Sequence, residues 1–194
     1  DGLKNETHLN YQEFLLKNPT IEGPIVIIGG GPIAIDVAEK IIRQNSPHEF
    51  NSFWGIDSSG THPGWLHGTH KPHGKIAITL CQRSESRIGM DLGKTSGWIH
   101  RDFLKKNAVT LLSGIQYHQV TNEGLVIIQK GEKKLLPAKQ VLVCAGQVSE
   151  NALANELQNS SAGTKIHLIG GAKDATKIDA KRSIREGHMI GLQI

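Results

Sequence analysis

The sequence predicts an α/β fold in which a parallel sheet packed with helices is joined by a separate antiparallel meander. Three observations carry this expectation. The β-branched run Pro24-Ile25-Val26-Ile27-Ile28 has the unbroken apolarity of a strand buried on both faces, and it stops at Gly29-Gly30-Gly31. Beyond it, Ile33, Val37, Ala38, Ile41 and Ile42 recur at helical spacing, with Asp36, Glu39, Lys40 and Arg43 on the opposite side. Much later, residues 114–119, 124–129 and 133–136 form three short segments with turn residues between them, the pattern of a meander.

Each element has a local reason. Residues 11–17 read as a short helix stopped by Asn18-Pro19. Strand 24–28 follows, and Pro32 suits the first turn of the next helix, where a missing N–H leaves nothing unpaired. From about 45 to 74 the periodicity disappears. This stretch holds Pro47, Pro63 and Pro72 together with His48, His62, His67, His70 and His73. A patternless segment of that length is functional or mobile in a compact domain. Mobility is expected here, with Trp54 and Trp65 as its anchors. A second strand is predicted at 75–81. A helix over 91–107 would bury Leu92, Trp98, Ile99, Phe103 and Leu104, though Gly93 and Gly97 weaken its first turns. A third strand at 109–112 precedes the meander, which turns at Lys130-Gly131-Glu132. Residues 141–144 form another buried strand, ended by Ala145-Gly146. A last strand at 165–169 and a helix at 177–192 complete the reading.

Composition narrows the function. At 194 residues the chain fits about one domain with some length left over. With 38% hydrophobic and 21% charged residues it can bury a core. The net charge of +4 comes from scattered basic residues, and aromatics are only 5%, so neither a duplex footprint nor a stacking platform for single strands is present. No apolar run of about 18 residues exists to span a membrane. The first ten residues carry no apolar signal segment, and the expected compartment is the cytoplasm. Two cysteines, Cys81 and Cys144, are too few for a four-thiolate metal or iron–sulfur site and are expected to be buried small apolar groups.

The chemistry concentrates at Gly29-Gly30-Gly31-Pro32-Ile33-Ala34, a G-x-G-x-x-A pattern between a buried strand and an amphipathic helix. That context separates a dinucleotide fingerprint from a plain structural turn. Gly29 permits the tight turn and Gly31 lets a pyrophosphate approach the backbone. Pro32 and Ile33 start the helix whose N–H groups and dipole favour the phosphates. Nicotinamide cofactors are distinguished at the end of the second strand, where a carboxylate selects NAD and an arginine accommodates the 2′-phosphate of NADP. Here Gln82-Arg83-Ser84-Glu85-Ser86-Arg87 follows the strand, with no carboxylate at its first two positions. Arg83 and Arg87, with Ser84 beside them, point to NADPH. The competing reading is a solvated basic turn. Ala145 and Gly146 fall at the carboxyl end of a strand, where such ligands lie.

Two other patterns carry less. Gly93-Lys94-Thr95 is no phosphate-binding P-loop, because Ile88 stands where that motif needs its first glycine. His67, His70 and His73 share no face in a Gly/Pro-rich loop. With no carboxylate or thiolate recognised near them, no metal site is expected.

Several stretches recur in order in one known family. They are residues 25–39, Trp54-Gly55-Ile56-Asp57-Ser58-Ser59, residues 92–101 (Leu92 through Trp98 to Arg101), Val143-Cys144-Ala145-Gly146-Gln147, and His167-Leu168-Ile169-Gly170-Gly171. On these the chain resembles the C-terminal portion of the bacterial NADPH-dependent 2,4-dienoyl-CoA reductases. The resemblance implies a large iron–sulfur flavoenzyme of fatty acid β-oxidation with an FMN-binding barrel, a 4Fe-4S cluster, and interleaved FAD and NADPH domains. Electrons would pass from NADPH to FAD, through the cluster to FMN, and on to the dienoyl-CoA. Residues 23–147 would form a Rossmann-like NADPH-binding domain with an insertion at about 45–74. Residues 1–22 would be a connecting segment from the FAD domain, and residues 148–194 would return to it with a strand and a helix. Gly170, Gly171, Lys177, Ile178 and Asp179 would lie near the flavin. Gly170-Gly171-Ala172-Lys173 stands where many related flavoproteins carry an aspartate, so no carboxylate role transfers. The expected partners are the upstream FAD and FMN-barrel domains, and no catalytic residue or metal ligand is assigned to this chain. Alternatives are the equivalent part of a 2-enoate reductase or amine dehydrogenase, or a non-catalytic nucleotide-sensing module. The isolated chain is expected neither to reduce acyl-CoA nor to retain stoichiometric FAD.

Overall fold

The computed structural model describes residues 8–45, 50–67, 75–160 and 165–194. The chain divides into two units, residues 1–145 and 146–194.

The first unit is built on a five-stranded sheet, parallel throughout. Its strands are β1 (His8–Asn10), β2 (Ile25–Ile28), β3 (Ile78–Cys81), β4 (Thr110–Leu112) and β8 (Gln140–Val143), in the spatial order β1-β8-β2-β3-β4. Between β4 and β8 the chain makes the antiparallel meander β5 (Gln116–Thr121), β6 (Gly124–Gln129) and β7 (Glu132–Pro137). The helices are α1 (Tyr11–Lys17), α2 (Pro32–Asn45), α3 (Phe50–Trp54) and α4 (Gly97–Lys106).

Strand period explains the layers. Successive side chains point to opposite faces, so β2 serves two cores. Ile25 and Ile27 pack with Ala34, Val37, Ala38 and Ile41 of α2 and with Phe103 and Leu104 of α4. Val26 and Ile28 pack with Ile115, Val120, Leu125 and Ile127 on the meander side. α1 is fixed by a capping box, in which Asn10 Oδ1 accepts from the Glu13 amide at 2.8 Å and Glu13 reaches back to the Asn10 amide. It ends at Asn18, whose φ of +45° takes the left-handed stop.

Several elements differ from their sequence prediction. α4 begins at Gly97 instead of residue 91, because the glycines at 93 and 97 leave residues 91–96 in turns. Gly97 and Leu104 then share the buried face, and Trp98 and Ile99, rotated roughly 100° and 200° away from Gly97, are exposed. β1 and α1 of the connecting segment are built into the first unit. Within the insertion, α3 buries Phe53 completely, and its ring lies 5.0 Å from Phe103 and 5.1 Å from Trp54. Phe53 therefore anchors this segment, whereas Trp65 is exposed and lies against Gly60. His48, His70 and His73 lie outside the described residues.

Residues 55–67 form a closed turn. Ile56 and Leu66 make an antiparallel bridge, flanked by hydrogen bonds from the Asp57 amide to Trp65 O (2.9 Å) and from the His67 amide to Gly55 O (2.6 Å). Inside it Asp57 is 2% exposed, and both of its carboxylate oxygens accept several donors. Bonds from the Ser59 hydroxyl, and then from the His62 amide, hold its carboxyl far below the usual carboxylate range.

The second unit contains α5 (Ala152–Ser160), α6 (Gly170–Lys173) and α7 (Ala180–Gly191). The strand predicted at 165–169 does not form; those residues have no ladder partner among the described ones, and α6 follows directly. A strand without a neighbour makes no hydrogen-bond ladder. α7 starts at Ala180, capped by Asp179, whose carboxylate accepts from the Arg182 amide at 2.7 Å.

Candidate dinucleotide-binding site

Three strand ends converge at the carboxyl edge of the first unit's sheet. β2 stands between β3 and β8, with Ile28 in register with Cys81 on one side and Val143 on the other. The chain leaves β2 for β3 on one flank and reaches β8 on the other flank only after the meander. The β2/β8 seam is thus the topological switch point, the place where open α/β sheets hold ligands.

The glycine turn is shaped by its neighbours. Gly29 has φ +139°, and a Cβ there would lie 2.9 Å from the Cys144 carbonyl oxygen, so a side chain is excluded twice over. Its amide donates to Cys81 O at 2.9 Å, and the Cys144 amide donates to Ile28 O at 2.8 Å, so the end of β2 is tied to β3 on one side and to β8 on the other beneath the turn. A Cβ on Gly30 would collide with the Gln82 carboxamide, while the Gly30 carbonyl accepts from the Gly89 amide at 2.9 Å. Gly31 behaves differently: a Cβ there would meet nothing within 4 Å. The turn is packed at Gly29 and Gly30 and open at Gly31.

α2 begins at Pro32, and its first ladder bond runs from the Ile35 amide to Gly31 O at 3.3 Å. The amides of Ile33 and Ala34 belong to the first turn, which has no intrahelical acceptors. No acidic residue occupies that turn. Donors, helix dipole and free space coincide there, which fits a pyrophosphate.

The segment after β3 is organised by Gln82, whose importance the sequence did not signal. Its Nε2 faces Ser84 O, Ser86 O and the hydroxyls of Ser86 and Ser113, so the side chain ties residues 84–86 to the strand end. Ser84 is engaged inside that turn, with its hydroxyl 2.8 Å from Ser86 Oγ. Arg83 lines a cleft of about 240 Å³ together with Ile28, Tyr117, His118, Val143 and Ala145. The structure thus brings Arg83 and Ala145, from either side of β2, to one cleft. Arg87 lines another cleft with Trp98, Arg101 and Lys105.

The two cysteines stand on either side of β2, Cys81 at the end of β3 and Cys144 just after β8. Burial pushes Cys81 and Cys144 up to about 12. Both are thiols at neutral pH, not the thiolates that attack disulfides. Native protein should consequently react with iodoacetamide orders of magnitude more slowly than unfolded chain. Rapid alkylation of both cysteines in the folded state, followed by mass spectrometry, would contradict this.

The remaining predicted residues fall in the second unit. Gly146, with φ +82°, begins it. Gly170 has φ +58°, and its amide donates to Glu186 Oε2 at 2.7 Å, joining α6 to α7. Lys177 holds a left-handed φ of +47°, Gly171 and Ile178 are half-buried, and Asp179 is occupied in capping α7. Among the described residues, no helix is long and apolar enough to cross a membrane.

Comparison with known proteins agrees with this fold. Over 158 residues the chain is 27% identical to a metal reductase of Desulforamulus reducens, a match covering 79% of this chain and 22% of that protein. Among solved structures, 2-naphthoyl-CoA reductase superposes over 100% of this chain and 24% of its own, with a TM-score of 0.71 at 19% identity. Histamine dehydrogenase from Rhizobium sp. 4-9 superposes over 95% of this chain and 25% of its own, with a TM-score of 0.61 at 12% identity. The chain thus spans about a quarter or less of the length of these proteins. Residues 3–173 match the pyridine nucleotide-disulphide oxidoreductase family. The chain belongs to that family of Rossmann-like, FAD- and NAD(P)-binding oxidoreductase folds.

Proposed function

We propose that the chain docks NADPH at the β2–α2 turn, as the nicotinamide-nucleotide-binding part of a larger flavoenzyme of the 2,4-dienoyl-CoA reductase type. The observation that carries this reading is the open space at Gly31, set between packed glycines at the switch point of the sheet. When bound, the cofactors of such an enzyme (NADPH, FAD, FMN and a 4Fe-4S cluster) would supply the redox chemistry, the transfer of hydride and electrons toward an unsaturated acyl-CoA. This chain's residues bind and orient. Gly31 leaves the pyrophosphate room, the Ile33 and Ala34 amides hold it, and Arg83 holds the 2′-phosphate. Ala145 borders the Arg83 cleft from the other side of β2.

The acyl-CoA class rests on the resemblance of residues 54–59 and 92–101. Residues 148–194 are assigned to the FAD domain, with Gly170, Gly171 and residues 177–179 toward the flavin. In support, α7 exposes Ile184 and Met189, with Leu192 just beyond it, an apolar face suited to burial by a larger domain.

The test is a titration of NADPH and NADH against wild type and Arg83→Ala. A charge-assisted hydrogen bond contributes roughly 1.5–3 kcal/mol, so NADPH affinity should fall about 10- to 100-fold while NADH affinity barely changes. Its salt dependence should flatten as well, since fewer charges remain to be screened. Equal losses for both nucleotides would show that Arg83 does not read the 2′-phosphate.

A further inference from the structure

The closed turn at residues 55–67 holds a cluster that the dinucleotide site does not use. Asp57, His62 and His67 each offer a donor atom, and these donors all lie within 4.8 Å of one another. The sequence expectation of no carboxylate near the histidines is corrected here. The Ile56–Leu66 bridge brings Asp57 to His67, although ten positions separate them in the sequence.

The geometry points to a site for one divalent transition-metal ion, held by the Asp57 carboxylate and the imidazoles of His62 and His67. Two ligands each about 2.1 Å from a metal, at tetrahedral to octahedral angles, stand about 3.0–3.4 Å apart. His62 Nδ1 is 3.0 Å from Asp57 Oδ2, and His67 Nε2 is 3.8 Å from Asp57 Oδ1. The two imidazoles stack edge-on with centroids 4.6 Å apart, and both are half-exposed, so small ring rotations bring all three donors onto one ion.

The carboxylate is positioned as a ligand should be. The Ser59 amide (2.9 Å) and hydroxyl (2.5 Å) donate to Oδ1, and the His62 amide (2.7 Å) and Thr61 hydroxyl (3.1 Å) donate to Oδ2. The His62 imidazole Nδ1 is also within hydrogen-bonding distance of Oδ2, at 3.0 Å, a bond given up when that nitrogen turns to a metal. The four other donors match the roughly four acceptor positions of a carboxylate, so a metal must displace one of them. The Thr61 hydroxyl makes the longest of the four bonds, and Ser59 Oγ, 2.9 Å away, is a ready alternative partner for it. The other three donors then act as the supporting shell that orients a ligating carboxylate. Two imidazoles and one carboxylate suit zinc and its first-row neighbours rather than calcium or magnesium. Three protein ligands leave at least one coordination position to solvent.

Zinc is the probe for the test. The full chain, stripped with a chelator, is titrated calorimetrically with Zn²⁺ as wild type, His62→Gln, His67→Gln and the double variant His70→Gln/His73→Gln. The expected result is saturable binding of one ion per chain. Each single variant should weaken it by more than the roughly 10- to 100-fold that losing a supporting partner costs. The double variant should bind as wild type does. Zn²⁺ should also raise the thermal midpoint of wild type, as any ligand specific to the folded state does, and should not raise that of His67→Gln. Both tested histidines are half-exposed, and far-UV circular dichroism of each variant checks that it is folded before the titration. Absence of saturable one-to-one binding in wild type would overturn the proposal. So would binding that survives in both single variants, or binding lost only in the double variant.

Discussion

A Gly31→Ala chain is expected to fold normally and to lose dinucleotide binding. The new methyl group meets no protein atom within 4 Å. Gly31 caps α2, where alanine is a poorer residue than glycine, so the exchange should cost only about 1 kcal/mol of stability. The same methyl group occupies the space through which a pyrophosphate reaches the first turn of α2. Losing two charge-assisted hydrogen bonds there, at roughly 1.5–3 kcal/mol each, corresponds to a drop in affinity of about 100-fold or more. Gly29→Ala and Gly30→Ala should behave otherwise. The first forces a side chain onto φ +139° and against the Cys144 carbonyl, and the second drives into Gln82. These two variants should lose stability and binding together. Thermal denaturation alongside NADPH titration separates the cases. Wild-type affinity in Gly31→Ala would remove the pyrophosphate from this turn.

Phe53→Ala should produce the largest loss of stability among the substitutions considered. Phe53 is fully buried, with its ring against Phe103, which in turn lies under the Arg43 guanidinium at 4.7 Å. Truncating such a phenylalanine costs about 3–5 kcal/mol, a large part of the roughly 5–15 kcal/mol that holds a domain folded. Denaturant unfolding followed by far-UV circular dichroism measures it. A loss under about 1 kcal/mol would mean that α3 is a loosely held appendage, as the sequence alone suggests, and not part of the core.

The glycine turn was legible because everything that defines it is local: a strand's apolar run, a break, and a helical stripe. The place of Arg83, just past the end of β3, was legible one step further out, since it requires only that the next parallel strand lie beside β2, as the register of Ile28 with Cys81 shows. Arg87, read beside Arg83 in the sequence, lines a different cleft. The Gln82 side chain folds residues 84–86 back, and Gly89 follows with φ +73°. α3 escaped notice because five residues carry too little periodicity to register, and its state depends on Phe53 finding the α2–α4 layer. The Asp57 cluster escaped because positions 57, 62 and 67 share no helical or strand face. Only a backbone bridge gathers them. β1, read as a connection, is a strand through its pairing with β8 rather than through its composition.

That pairing sets a direction for assembly. Residue 8 takes its ladder partner at residue 141, and among the described residues β1 has no neighbour other than β8. During synthesis the chain emerges from its N-terminus. β1 must therefore wait through the emergence of α2, the insertion and the meander before β8 arrives to receive it, and closing so long a loop slows the step. In the meantime β2, β3 and β4 can associate as a nascent core, with β2 presenting its unpaired edge. β8 completes that edge, and only then does the oldest stretch of the unit become its outermost strand. A piece excised at Gly23 would lack this last step and would leave the apolar run Val141, Leu142, Val143 as an open edge, exposed to pairing between molecules.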